Sequence, residues 1–289
     1  MGPTGSGKSA LALRIAQAAP TVIINADAMQ LVADLRILTA RPTRADEALA
    51  EHALYGVLDA GEPTSVARWL MLVEPVIRTA WDENKQPLLV GGTGMYVQAL
   101  MQGLASIPPI PEAIRAPLRA LTAPELYARL SARDSAMAAS LKPGDTQRLA
   151  RALEVVEATG QSLAHWQQQK AQPLFPDATY RIFALTPDRA QLYPRLNARF
   201  EAMLAAGAMD EITRLMARQL PPDTPILRAH GVPELMAHAR GEITLEAATT
   251  HAQQLTRNYA KRQLTWIRQQ LPEVRKVQPD ENLNTFFTL

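Results

Sequence analysis

Gly2-Pro3-Thr4-Gly5-Ser6-Gly7-Lys8-Ser9 opens the chain on a phosphate-binding loop of the form G-x-x-x-x-G-K-[ST]. Glycines in such a loop let successive backbone N–H groups close around phosphate oxygens, while Lys8 supplies a point charge and Ser9 a hydroxyl for Mg²⁺. Ser9-Ala10-Leu11-Ala12-Leu13-Arg14-Ile15-Ala16 follows with Leu and Ile at helical spacing, so a helix starting at Lys8 aims its positive end at the same anion. The ligand class is a diphosphate or polyphosphate. Phosphate loops follow a buried parallel strand, and the single residue Met1 cannot form one. The first strand is therefore missing from this stretch, and an apolar Val/Ile/Leu run is expected upstream.

Working outward, Thr21-Val22-Ile23-Ile24-Asn25 is a β-branched run that reads as a buried strand ending in the polar Asn25-Ala26-Asp27. Ligands of open α/β sheets sit beyond the carboxyl ends of strands, which aims Asp27 at whatever the loop holds. Pro87-Leu88-Leu89-Val90-Gly91-Gly92-Thr93-Gly94 repeats the arrangement, with an apolar strand running into glycines and a hydroxyl. Ser65 to Trp81 has the helical spacing of a crossover between them. A further strand is expected over Tyr180–Leu185, closed by Pro187. The stretch 108–176 differs. It reads as helices broken at Pro108-Pro109, Lys142-Pro143-Gly144 and Gly160, with Asp145 as an N-cap. The expected fold is α/β: a phosphate-loop parallel-sheet core (1–107 and 177–289) carrying a helical insertion (108–176). The core ends in helices, the longest over about Leu245 to Gln270.

Composition narrows the class. The 289 residues are 47% hydrophobic, ample for a core, and 30 Lys+Arg against 28 Asp+Glu leave a net charge of +2, too small to imply nucleic acid by itself. Zero cysteines exclude disulfides, thiolate zinc sites and iron–sulfur clusters and suit a cytoplasmic protein. No apolar run reaches membrane-spanning length, so no membrane partner is expected. The five histidines are scattered without ligand spacing and read as surface or packing residues.

Basic residues do cluster locally. Arg257, Lys261 and Arg268 fall on one helix face, and Arg115 with Arg119 and Arg148 with Arg151 make two more pairs on the insertion. A solvated face is the plain reading of each cluster, and a footprint for phosphate backbone the sharper one; three clusters together favour the polyanion.

The order GPTGSGKS, NADAMQ, TARP, VGGTGMY, QRLARALEV and TRNYAKRQLTW resembles the tRNA dimethylallyltransferases, the isopentenyl-tRNA transferases, from Gly2 to about Arg268. The resemblance implies transfer of a dimethylallyl group from dimethylallyl diphosphate to the exocyclic amine of the adenosine 3′ to the anticodon. It implies Mg²⁺ as cofactor, the tRNA anticodon stem-loop as partner, and a monomer. Carried onto this chain, Asp27 is the general base, with Lys8 and Thr93 beside the departing diphosphate. Gly2, Pro3, Thr4, Gly5, Ser6, Gly7, Lys8 and Ser9 hold the diphosphate with Arg195 and Arg199, and Ser9 is the Mg²⁺ ligand. Asp27, Ala28, Met29 and Gln30 contact tRNA, as do Arg115, the run Gln147, Arg148, Leu149, Ala150 and Arg151, and Arg257 with Lys261.

The chemistry is coherent on its own terms. An adenine amine is a poor nucleophile because its lone pair is delocalised, so a carboxylate that takes its proton during attack is useful. Diphosphate leaves when its growing charge is met by cations and N–H groups. The same loop also suits a kinase of a nucleotide or small metabolite. Departures from the family pattern at Ala28, Val32, Arg36 and Leu38 leave open a member that binds tRNA without transferring to it.

Overall fold

The structure is a computed structural model describing residues 1–62, 64–169 and 172–287. In chain order its elements are α1 (Lys8–Ala18), β1 (Thr21–Asn25), α2 (Arg44–Leu49), β2 (Glu51–Ala53), α3 (Val66–Asp82), β3 (Gln86–Val90) and α4 (Gly94–Gln102). Then come α5 (Glu112–Arg119), α6 (Ala123–Arg133), α7 (Ser135–Ser140), α8 (Thr146–Thr159) and α9 (Leu163–Gln168). The chain closes with β4 (Phe183–Leu185), α10 (Arg189–Ala205), α11 (Ala208–Ala217), α12 (Val232–Ala239), α13 (Leu245–Gln270), β5 (Arg275–Val277) and α14 (Asn284–Phe287). They divide into two compact units: Met1–Ala99 with Asp177–Leu289, and Leu100–Pro176.

The first unit is built on parallel strands in the order β2-β1-β3. All five residues of β1 are buried, as its β-branched run requires of a central strand covered on both faces. Its register with β3 runs from Thr21 opposite Gln86 to Asn25 opposite Val90, so both strands end at the same level and deliver Asp27 and Thr93 to one edge. The crossover helix α3 starts on Ser65, whose hydroxyl accepts from Arg68 N, and buries Trp69, Val73, Ile77 and Ala80 at helical spacing. A second parallel pair, β4-β5, is shorter than expected: Tyr180, Arg181 and Ile182 lie outside it because β5 supplies only Arg275 to Val277 as partners. Sequence gave no strong sign of β5, whose Arg-Lys-Val has two exposed cations.

Among the described residues the two sheets share no ladder. Met1 lies along β4. Its amine donates to Phe183 O at 2.6 Å and its carbonyl accepts from Leu185 N at 2.9 Å. Helix α1 covers both sheets, with Leu11 and Ile15 packed among Leu88, Leu185 and Val277.

The second unit is helical throughout its defined elements. Its core joins Leu118 of α5, Leu126 and Leu130 of α6, and Leu149, Ala152, Leu153 and Val155 of α8. Asp145 caps α8 by accepting from Arg148 N at 3.3 Å. No helix among the described residues is long and apolar enough to cross a membrane.

Candidate active site

The phosphate loop folds as its glycines require. Gly7 is the N-cap of α1 at φ 89°, a left-handed conformation that side chains with a Cβ avoid, and Ser6 N closes a turn onto Pro3 O at 3.2 Å. Lys8 Nζ lies back over the loop and donates to Pro3 O at 2.8 Å. Two distant side chains tie the loop down. Arg199 of α10 donates to Thr4 Oγ1 at 2.6 Å, and Gln263 of α13 accepts from Thr4 N at 2.8 Å through Oε1 while its Nε2 donates to Gly92 O at 3.1 Å. Gly92 has to be glycine here, because a Cβ would occupy the place of the Gln263 amide.

Beside the loop stands a cavity of about 500 Å³ whose lining includes Lys8, Asp27, Gln30, Arg199, His230 and Tyr259. All of its lining belongs to the first unit. One wall is the loop and the start of α1, another is Leu38 to Ala40, and apolar Leu196, Phe200 and Met203 come from α10.

Asp27 is held by its neighbours in sequence. Asn25, fully buried, accepts from Asp27 N at 2.8 Å and donates to Asp27 O and Leu54 O, both at 3.0 Å. The indole of buried Trp69 donates to Asn25 O at 2.9 Å. One carboxylate oxygen of Asp27 accepts from Met29 N at 3.1 Å, so the residue is a local turn acceptor as well as a cavity residue. Thr93 Oγ1 accepts from Ala28 N at 3.3 Å and is hydrogen-bonded to Tyr259. It thereby links the two strand ends to α13. Thr93 and Ala28 are not themselves on the cavity lining.

Electrostatics follow from burial. Removal from water pushes the Asp27 carboxyl above its ordinary value, opposed by Lys8, the N–H groups of Met29 and Gln30, and Arg199. Burial pushes Lys8 down to about 8, with Asp27 opposing and Arg199 adding to the shift. Arg199 is lowered by burial and raised by Asp27. The Tyr259 hydroxyl is pushed up, first by burial and then by the Asp27 charge. An anion entering this cavity would sit against both half-buried cations.

Other expected site residues fall elsewhere. Arg195 is exposed on α10 and off the cavity, whereas Arg199, one turn on, lines it. In the run 147–151, Leu149 is fully buried in the helical core and Ala150 is packed against it, while Gln147, Arg148 and Arg151 are exposed, because successive helix residues turn by about 100°. The basic pairs on the insertion carry acids with them. Arg115 and Arg151 approach the buried Glu154 at 3.6 and 3.5 Å, Arg119 pairs with Glu112 at 2.9 Å and Arg148 with Asp145 at 3.5 Å. Arg257 bonds the neutral side chains of Asn197 and Gln254, both at 2.6 Å, and Lys261 is exposed.

His230 is not an ordinary surface histidine. It lines the cavity, lies against Tyr259 with ring centroids 4.6 Å apart, and has its pKa lowered by burial and by Arg262. Arg228, Gln263 and Asn25 were also missed as site residues. Asn25 and Gln263 stand inside the quoted motifs, and their places beside Asp27 and Tyr259 were the available signal.

A family model described as IPP transferase matches residues 30–270. The tRNA dimethylallyltransferase of Nitrobacter hamburgensis is 49% identical over 284 residues, covering 97% of this chain and 90% of that protein. That of Beijerinckia indica is 49% identical over 290 residues, covering 99% and 96%. The crystal structure of the tRNA isopentenylpyrophosphate transferase of Bacillus halodurans superposes with a TM-score of 0.70 at 30% identity, over 99% of this chain and 90% of that one. A eukaryotic dimethylallyltransferase acting on tRNA gives 0.81 at 25% identity, over 99% and 74%. With the family model spanning most of the chain and near-half identity over nearly all of it, the chain belongs to the IPP transferase family, that of the tRNA dimethylallyltransferases.

Proposed function

We propose that the protein transfers a dimethylallyl group from dimethylallyl diphosphate to the exocyclic amine of the adenosine 3′ to the anticodon of tRNA. The observation that carries this reading is one cavity lined both by a phosphate loop and by the raised carboxylate of Asp27. In the reaction the adenine nitrogen forms a bond to the allylic carbon, the bond from that carbon to the diphosphate oxygen breaks, and the amine proton passes to Asp27. Charge growing on the leaving diphosphate is met by Lys8, Arg199 and the loop N–H groups. The apolar side chains of Leu38, Leu196, Phe200 and Met203 suit the hydrocarbon between these two poles.

Mg²⁺ belongs to the same proposal. Among the described residues no three His, Cys, Asp or Glu side chains group to hold a metal, so the ion would sit mainly on diphosphate oxygens and water. Ser9, the exposed hydroxyl of the cavity wall next to Lys8, is the protein group that fits it. Bound there, Mg²⁺ would neutralise charge on the leaving group. Exposed Arg148, Arg151 and Lys261, together with Arg257, are the proposed contacts to the RNA backbone.

Incubation of purified protein with unmodified tRNA and dimethylallyl diphosphate, followed by nucleoside analysis, tests the reading. Prenylated adenosine 3′ to the anticodon is expected. Thermal stabilisation by ATP–Mg²⁺ but not by dimethylallyl diphosphate would instead favour a kinase, and bound but unmodified tRNA a member without transfer.

A further inference from the structure

Arg36, Ile37 and Leu38 present three consecutive backbone N–H groups to a single carboxylate. Glu211, in the first turn of α11, accepts from Arg36 N at 2.8 Å and Ile37 N at 2.9 Å through Oε1, and from Leu38 N at 3.1 Å through Oε2. Glu211 is 4% exposed. Successive N–H groups that converge in this way form a concavity suited to an anion, and here the anion comes from the chain itself. The Arg36 guanidinium is turned away, onto Pro42 O and the Glu47 carboxylate, so backbone dipoles answer the Glu211 charge.

The segment that follows is clamped from its other side. Gln30 Nε2 donates to Thr39 O at 2.8 Å and Ala40 O at 3.0 Å, and Ala40 has φ 53°, a left-handed conformation that a residue with a Cβ holds only when its surroundings enforce it. Leu38, Thr39 and Ala40 are a wall of the cavity that Lys8 and Asp27 also line, and Leu38 packs in one cluster with Phe200 and Met203. Glu211 itself is not on the lining.

We propose that Glu211 is a positioning residue for the transfer: by gathering the N–H groups of Arg36, Ile37 and Leu38 it fixes the Leu38–Ala40 wall against which the hydrocarbon of the donor lies. This rests on the reading of the cavity as an isoprenyl diphosphate site. Without the carboxylate three N–H groups lose their acceptor and the wall relaxes. The phosphate loop, tied separately by Arg199 and Gln263, keeps its grip on the diphosphate. Loss of Glu211 therefore separates affinity for the hydrocarbon from affinity for the anion.

Two variants test this, Glu211→Ala and Glu211→Gln. Gln keeps one oxygen for the Arg36 and Ile37 N–H groups but sets an NH₂ group against the Leu38 N–H, so its effects fall between wild type and Ala. In Glu211→Ala, hydrogen-exchange protection of amides 36–38 should fall roughly tenfold or more while the β1 and β3 amides keep theirs. Calorimetric affinity for dimethylallyl diphosphate should fall roughly tenfold, with affinity for inorganic pyrophosphate kept within about twofold. Unchanged affinity for dimethylallyl diphosphate despite exposed amides would overturn the proposal. So would equal losses for both ligands, or lost protection throughout the unit, either of which would mark Glu211 as a fold-wide support. The functional reading fails separately, if wild-type protein binds the isoprenyl diphosphate no better than pyrophosphate and leaves tRNA unmodified.

Discussion

Asp27 and Lys8 line one cavity with opposite charges, and their titrations shift in opposite directions. Burial raises Asp27, so its base form is lost as pH falls through a pKa above the ordinary carboxylate value. Burial lowers Lys8 to about 8, so its positive charge is lost as pH rises through that value. The expected kcat/KM profile is a bell, with Asp27 on its acid side and Lys8 on its alkaline side. Bound diphosphate favours charged Lys8, so the alkaline limb of kcat should lie at higher pH than that of kcat/KM. A pH–rate series on wild type and Lys8→Ala checks this, and an alkaline limb that persists unchanged in the variant assigns it to another group. Asp27→Asn keeps an acceptor for the Met29 N–H but removes the proposed base. Turnover should fall by roughly 10²- to 10⁴-fold while tRNA affinity changes little. Near-normal single-turnover rates would take Asp27 out of the mechanism.

At the level of the element, α8 illustrates how one helix divides its work. Leu149 is enclosed by the helical core, whereas Arg148 stands outside it. Leu149→Ala should destabilise the Leu100–Pro176 unit by about 2–5 kcal/mol, the usual cost of emptying a core leucine, read by denaturant unfolding. Arg148→Ala should leave that transition in place and lower the salt slope of tRNA binding by roughly 0.7–0.9, as expected for one phosphate contact. Lys261→Ala on α13 should act likewise. Arg151 behaves differently, because its removal leaves the buried Glu154 to Arg115 alone and so costs stability as well as binding. A salt slope indifferent to both Arg148 and Lys261 would reduce them to solvated faces.

Across the whole molecule, the cavity lining comes from the phosphate loop, the ends of β1 and β3, the 38–40 segment, α10, the turn before α12, and α13. Saturating dimethylallyl diphosphate, at about one hundred times its Kd, should stabilise the native state by about 2.7 kcal/mol. Because every lining residue belongs to the unit formed by Met1–Ala99 and Asp177–Leu289, the added hydrogen-exchange protection should concentrate there. Equal protection of α6 and α8 would place the ligand elsewhere.

By itself the sequence determined what is written in short-range patterns. The loop and helix of residues 2–18, the buried strand at Thr21–Asn25, the crossover helix and the long Leu245–Gln270 helix were legible because glycine spacing, β-branched runs and helical periodicity act over a few residues. The ordered motifs also sufficed to identify the family. Arg199 entered the site through the family resemblance, whereas tertiary structure alone decided the long-range pairings that complete it. Gln263 bonds Thr4 across 259 positions, Arg199 bonds Thr4 across 195, and Glu211 holds Leu38 across 173. No local propensity records such pairs, since their free energy comes from burial and hydrogen bonding that exist only once the elements have packed. For the same reason only the packed structure separates Leu149, which is in the helical core, from its neighbour Arg148: a motif names residues in line, and a helix turns them to different sides.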